Sequence, residues 1–115
     1  MSSPITTHVL DTANGVPAQG IPITLEIQTD GGDWTEVASG VTDDDGRISD
    51  WLSGDERPEP GVYRAIFDVE SYFDDGSDQV FYSEIPIVFH LNEPEEHYHV
   101  PLLLSPYGYT TYRGS

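Results

Sequence analysis

The feature that most constrains this chain is an alternation of apolar and polar residues with a period of two. Clusters of Gly, Pro, Asn and Asp break it roughly every eight to twelve residues. From Pro22 to Thr29, Ile23, Leu25 and Ile27 alternate with Thr24, Glu26 and Gln28, so one face of a strand must be buried. Similar runs cover Ile5 to Leu10, Trp34 to Val41, Arg47 to Trp51, Val62 to Val69, Ser83 to Leu91, His97 to Leu104 and Tyr109 to Tyr112. Asp30-Gly31-Gly32-Asp33 and Asp43-Asp44-Asp45-Gly46 read as tight turns, and the segment from Ser53 to Gly61 as a loop. Glu70 to Gly76 is the one stretch that suits a short helical turn. The pattern predicts an all-β, eight-stranded antiparallel β-sandwich or barrel.

A length of 115 residues allows one domain over 1–115 with a single core, and the lack of cysteine removes disulfides and thiolate metal sites. The cysteine count suits a reducing cytosol, and no run approaches the ~20 apolar residues of a membrane helix. Charge is the unusual bulk property: Asp and Glu total 21 against four basic residues, a formal net charge of −17. All four basic residues are arginines: Arg47, Arg57, Arg64 and Arg113. Nucleic acid and anionic membranes are therefore poor partners, because both need clustered Lys and Arg. The balance resembles the surface of a protein working in concentrated salt, where screening relieves self-repulsion.

Parity within the strands singles out two histidines. In His97 to Leu104, residues Val100, Leu102 and Leu104 share the core face, which leaves His99 outside with Pro101 and Leu103. In Thr7 to Leu10, Val9 points inward and His8 outward beside Leu10. Two histidines on apolar-lined outer faces suit an interface, though parity alone favours ordinary surface residues. An EF-hand register with Gly46 at the sixth position puts Val41 first and Leu52 last, so the aspartate run reads as a turn. His97 and His99 lack an evident third metal ligand. No Gly-rich phosphate loop or nucleophile elbow occurs, so neither a metal nor a cofactor is expected. Arg57 and Arg64 read as ordinary partners of surface carboxylates, whereas Arg47 and Arg113 stay open.

Two segments resemble the signatures of transthyretin-related proteins. Thr7-His8-Val9-Leu10-Asp11-Thr12-Ala13-Asn14-Gly15-Val16-Pro17-Ala18 is similar to the opening one. His97-Tyr98-His99-Val100-Pro101-Leu102-Leu103-Leu104-Ser105-Pro106-Tyr107 is similar to the closing one. The final Tyr112-Arg113-Gly114-Ser115 resembles the 5-hydroxyisourate hydrolase branch of that family rather than its hormone carriers. The resemblance implies a transthyretin-like sandwich, edge-to-edge dimers, and a homotetramer whose central channel holds the sites. It implies catalytic roles for His8, His99, Arg47 and Ser115, and substrate binding by Tyr112, Arg113 and Gly114. The implied reaction opens the six-membered ring of 5-hydroxyisourate with water, giving 2-oxo-4-hydroxy-4-carboxy-5-ureidoimidazoline in urate breakdown. A small-ligand carrier without catalysis and an accessory β-sandwich are the competing readings.

Overall fold

A computed structural model describes residues 4–48, 51–52, 58–74 and 80–114. Nine strands and one helical turn are present among them: β1 (Ile5–Asp11), β2 (Val16–Pro17), β3 (Pro22–Gln28), β4 (Trp34–Val41), β5 (Arg47–Ile48), β6 (Gly61–Asp68), α1 (Glu70–Phe73), β7 (Glu84–Leu91), β8 (Tyr98–Ser105) and β9 (Gly108–Thr111). They form two sheets. In one the order is β2-β1-β8-β9, with β5 also on β1; in the other it is β4-β3-β6-β7. The fold is the expected sandwich, with three departures in detail.

First, β2 adds a ninth strand; its two residues are both exposed, so no burial pattern marks them. Second, strand character after Gly46 covers only Arg47 and Ile48, short of the expected run to Trp51. Trp51 and Leu52 bend into the core instead, while Ser49 and Asp50 lie outside the described residues. Third, β1 and β8 pair in parallel, unlike every other pair. Hairpins force neighbours in sequence to run antiparallel, but these strands come from opposite ends of the chain and are free of that constraint. The helical turn forms at Glu70–Phe73 and ends there, because Asp74 is already extended, short of the expected Gly76; residues 75–76, much of the acidic loop, and Arg57 fall outside the described residues.

Alternation sets the core. Ile5, Val9, Leu25, Phe67, Leu102 and Leu104 are each fully buried between the sheets, worth about 1.5–3 kcal/mol apiece. A polar clasp closes one end. Asp11, also buried, accepts from the Ala13 and Asn14 backbone N–H groups at 3.0 Å, from Asn14 Nδ2 at 2.9 Å and from the Tyr72 hydroxyl at 2.6 Å. It thereby ties the end of β1 to α1. Arg64 pairs with Glu26 across the sheet and lies 4.3 Å over the Trp34 ring, which agrees with its expected structural role.

Candidate active site

Three strand pairings assemble the site on the outer face of the β1-containing sheet. In the β1–β5 pair His8 stands opposite Arg47. In the β1–β8 pair Thr6 stands opposite His99, and His8 opposite Pro101. Beyond β9 the chain returns so that Gly114 bridges His99, its N–H donating to the His99 carbonyl at 2.9 Å. Neighbouring strands lie about 4.8 Å apart. Arg47, His8, His99 and Gly114 are thus brought together from four separate parts of the chain.

The β4–β5 turn places Arg47. Asp43 Oδ1 accepts from the Asp45 and Arg47 N–H groups at 2.9 and 3.0 Å, and Gly46 takes a φ of 76°. A Cβ at Gly46 would lie 2.3 Å from the Val9 carbonyl, so only glycine lets this turn close against β1. The Asp43, Asp44 and Asp45 carboxylates gather within 4.8 Å of one another but are all exposed, and Asp43 serves the turn. Among the described residues no ion pair engages the Arg47 guanidinium.

The His8 and His99 rings lie 6.5 Å apart, centroid to centroid, tilted by 36°. That spacing suits one water between them at hydrogen-bond distances of about 3 Å. Burial lowers the His8 pKa from its ordinary 6.5, and the Arg47 charge lowers it further; the Asp45 carbonyl and the Asp45 and Asp43 charges oppose this without reversing it. Burial also lowers the His99 pKa, followed by the charges of Arg47, His8 and His97. Both rings are therefore held toward the neutral form, which is the form that accepts a proton. Arg47 is the shared positive charge behind both shifts.

The C-terminal residues divide. Gly114 packs flush on His99: a Cβ there would meet His99 Cδ2 at 2.6 Å. Arg113 engages other partners, its Nη2 donating to Glu96 at 3.1 Å and its guanidinium lying 4.6 Å over the Tyr98 ring. Arg113 and the exposed Tyr112 line a cleft of about 480 Å³ with Phe89, His99 and Val100, between β7, β8 and β9. Ser115 lies outside the described residues. Thr6 is a site residue that sequence reasoning missed. Its hydroxyl contacts His99 Nδ1 at 2.8 Å and His97 Nε2 at 3.1 Å. Its parity with His8 on β1 was the available signal.

Comparison with known proteins shows the family of the chain. Residues 5–114 match the model of the HIUase/Transthyretin family. A Salmonella typhi protein named 5-hydroxyisourate hydrolase is 47% identical over 114 residues, covering 99% of this chain and 82% of its own. Two solved structures share the fold. Sea bream transthyretin in complex with thyroxine has a TM-score of 0.88 and 34% identity, covering 97% of this chain and 95% of its own. Klebsiella pneumoniae 5-hydroxyisourate hydrolase has a TM-score of 0.81 and 30% identity, covering 96% of this chain and 97% of its own.

Proposed function

The chain belongs to the HIUase/Transthyretin family, and from that premise we propose that it is a 5-hydroxyisourate hydrolase. One observation carries the proposal: strand pairing brings two neutral-leaning histidines, 6.5 Å apart, beside an arginine on the same sheet face. That is the equipment a cyclic amide hydrolysis needs. One imidazole takes a proton from water as it attacks the ring carbonyl carbon. A donor then returns a proton to the leaving ring nitrogen, and the six-membered ring opens to 2-oxo-4-hydroxy-4-carboxy-5-ureidoimidazoline. Arg47 forks onto substrate oxygen and nitrogen and offsets the negative charge of the tetrahedral intermediate.

Similarity to the curated hydrolase supports this reading, since its name states the same reaction. Sea bream transthyretin in complex with thyroxine is at least as close in fold as the Klebsiella hydrolase, with TM-scores of 0.88 and 0.81, so backbone shape does not choose between enzyme and carrier. The His8, His99 and Arg47 constellation favours the enzyme. We further propose a homotetramer built from edge-to-edge dimers. Of the sheet edges, β7 and β9 carry the exposed Val88 and Tyr109, with the exposed Tyr112 just beyond β9. The sites then sit at the dimer–dimer interface, where His8, His99 and Leu103 of the outer face meet a second dimer. Tyr112, Arg113 and Ser115 complete the substrate grip there, Arg113 exchanging Glu96 for the ring edge. A cytosolic location fits this role in purine breakdown.

The test uses urate oxidase to generate fresh 5-hydroxyisourate in concentrated salt, with its ultraviolet absorbance followed over time. Decay well above the spontaneous rate, abolished in His8→Ala, is expected. Decay at the buffer rate from folded, tetrameric protein would transfer the assignment to a ligand carrier.

A further inference from the structure

The two histidines of the site are held differently. The His8 ring has the Asp45 backbone as a neighbour that favours its protonated form, and among the described residues no side-chain hydroxyl bonds to it. The His99 ring instead meets the Thr6 hydroxyl at Nδ1, 2.8 Å away, and the same hydroxyl lies 3.1 Å from His97 Nε2. The His97 and His99 rings are nearly parallel, at 17° with centroids 6.5 Å apart. Thr6 itself is only 8% exposed, whereas His99 is half-buried and His97 is exposed in the protomer. A line of three groups therefore runs from the site to its rim.

A hydroxyl owns one proton. Its oxygen can accept from both imidazoles but can donate to only one, so at least one of His97 and His99 must present an N–H to it, which couples their tautomers. We infer that Thr6 is a positioning residue for ring opening, fixing the His99 tautomer and coupling His99 to His97 as a proton relay. This rests on the hydrolase reading. In the resting arrangement His99 Nδ1–H donates to Thr6 Oγ1, and the Thr6 O–H donates to the Nε2 lone pair of His97. His99 Nε2 is then the basic nitrogen left for the substrate. As the water oxygen bonds to the ring carbonyl carbon, its O–H breaks and the proton passes to His99 Nε2. The Nδ1 proton moves to Thr6, whose own proton moves to His97 Nε2, leaving His99 neutral and His97 as an imidazolium. When the ring C–N bond breaks, the Nε2 proton goes to the leaving nitrogen and the relay runs back. The sum is one water added across one C–N bond. Without the relay, the charge of the imidazolium would rest on His99, beside Arg47.

The test compares full-length wild type, Thr6→Val and Thr6→Ser by ring-nitrogen NMR of His99 and by steady-state kinetics. Valine keeps the shape of the buried side chain without its hydroxyl, so folding should survive, as a melting curve checks. In wild type a single His99 tautomer with the proton on Nδ1 is expected. In Thr6→Val it should become a mixture, with kcat about tenfold lower and KM within about twofold. Thr6→Ser should restore both readouts. A His99 tautomer unchanged in Thr6→Val, or a serine variant as impaired as valine, would overturn the inference. Wild type that fails to hydrolyse 5-hydroxyisourate would instead refute the hydrolase reading, and the tautomer measurement would still decide whether Thr6 governs His99.

Discussion

Gly114→Ala is the smallest change that should disable the site while sparing the fold. An added Cβ would stand 2.6 Å from His99 Cδ2, 3.2 Å from Cγ and 3.4 Å from the His99 Cβ. Carbon atoms settle about 3.5–4.0 Å apart, so roughly 1 Å must be found. If the His99 ring moves, it leaves its 2.8 Å contact with Thr6 and its alignment with His8. If the tail lifts instead, the 2.9 Å bond from the Gly114 N–H to the His99 carbonyl breaks, and Tyr112 and Arg113 move with it. A misplacement of about 1 Å at a reacting group costs about 100-fold in rate, equivalent to about 2.7 kcal/mol of transition-state stabilisation. Stability should fall by only about 0.5–1.5 kcal/mol, the worth of one terminal hydrogen bond, because Gly114 contributes nothing to the core. Turnover of 5-hydroxyisourate beside a thermal melt measures both quantities. Wild-type turnover by Gly114→Ala would refute the claim that close packing of the tail orients His99.

Other consequences can be checked with the same preparations. Arg47→Lys keeps the charge but loses the planar fork, so kcat should fall at least tenfold while the acidic limb of the pH profile stays in place. Arg47→Gln should also move that limb to higher pH, because burial would still lower both histidine pKa values but the Arg47 contribution would be gone. Because the histidine pKa values are lowered in the fold, the unfolded chain binds more protons just below pH 6.5. Stability should therefore decline as pH falls from 6.5 through the folded values, as denaturant titrations across that range would show. Asp11→Asn places an amide among donors within the clasp and should cost about 2–3 kcal/mol by urea unfolding, with turnover per folded molecule little changed. With a net charge of −17, melting temperature should rise between 0.05 and 2 M potassium chloride (order-of-magnitude test limits); a flat response would argue against self-repulsion.

Much of this architecture was legible because alternation is a local signal. The inward set Val9, Leu25, Leu102 and Leu104 follows from strand parity alone, and so does the outward placement of His8 and His99. What parity cannot supply is which strands are neighbours. The meeting of Arg47 with His8 depends on β5 joining β1, and that of His99 with Thr6 on the parallel β1–β8 pair. Both pairings are non-local; the family resemblance grouped His8, His99 and Arg47 in one site without giving either pairing. Thr6 escaped notice because a threonine in a strand reads as an ordinary β-former, and its role appears only once two imidazoles flank it. Arg113 shows the opposite difficulty: motif matching assigns it a substrate, yet in the protomer it stacks on Tyr98 and pairs with Glu96.

The central claim is that His8 and His99 together open the substrate ring. Carbon-13 NMR of labelled 5-hydroxyisourate, generated in concentrated salt, follows the scissile carbonyl itself. With wild-type protein the ring-opened product should accumulate far ahead of the spontaneous reaction. In His8→Ala and His99→Ala, each verified to melt near the wild-type temperature, it should form at the buffer rate. Ring opening by either variant at the wild-type rate, or by wild type no faster than buffer, would contradict the account.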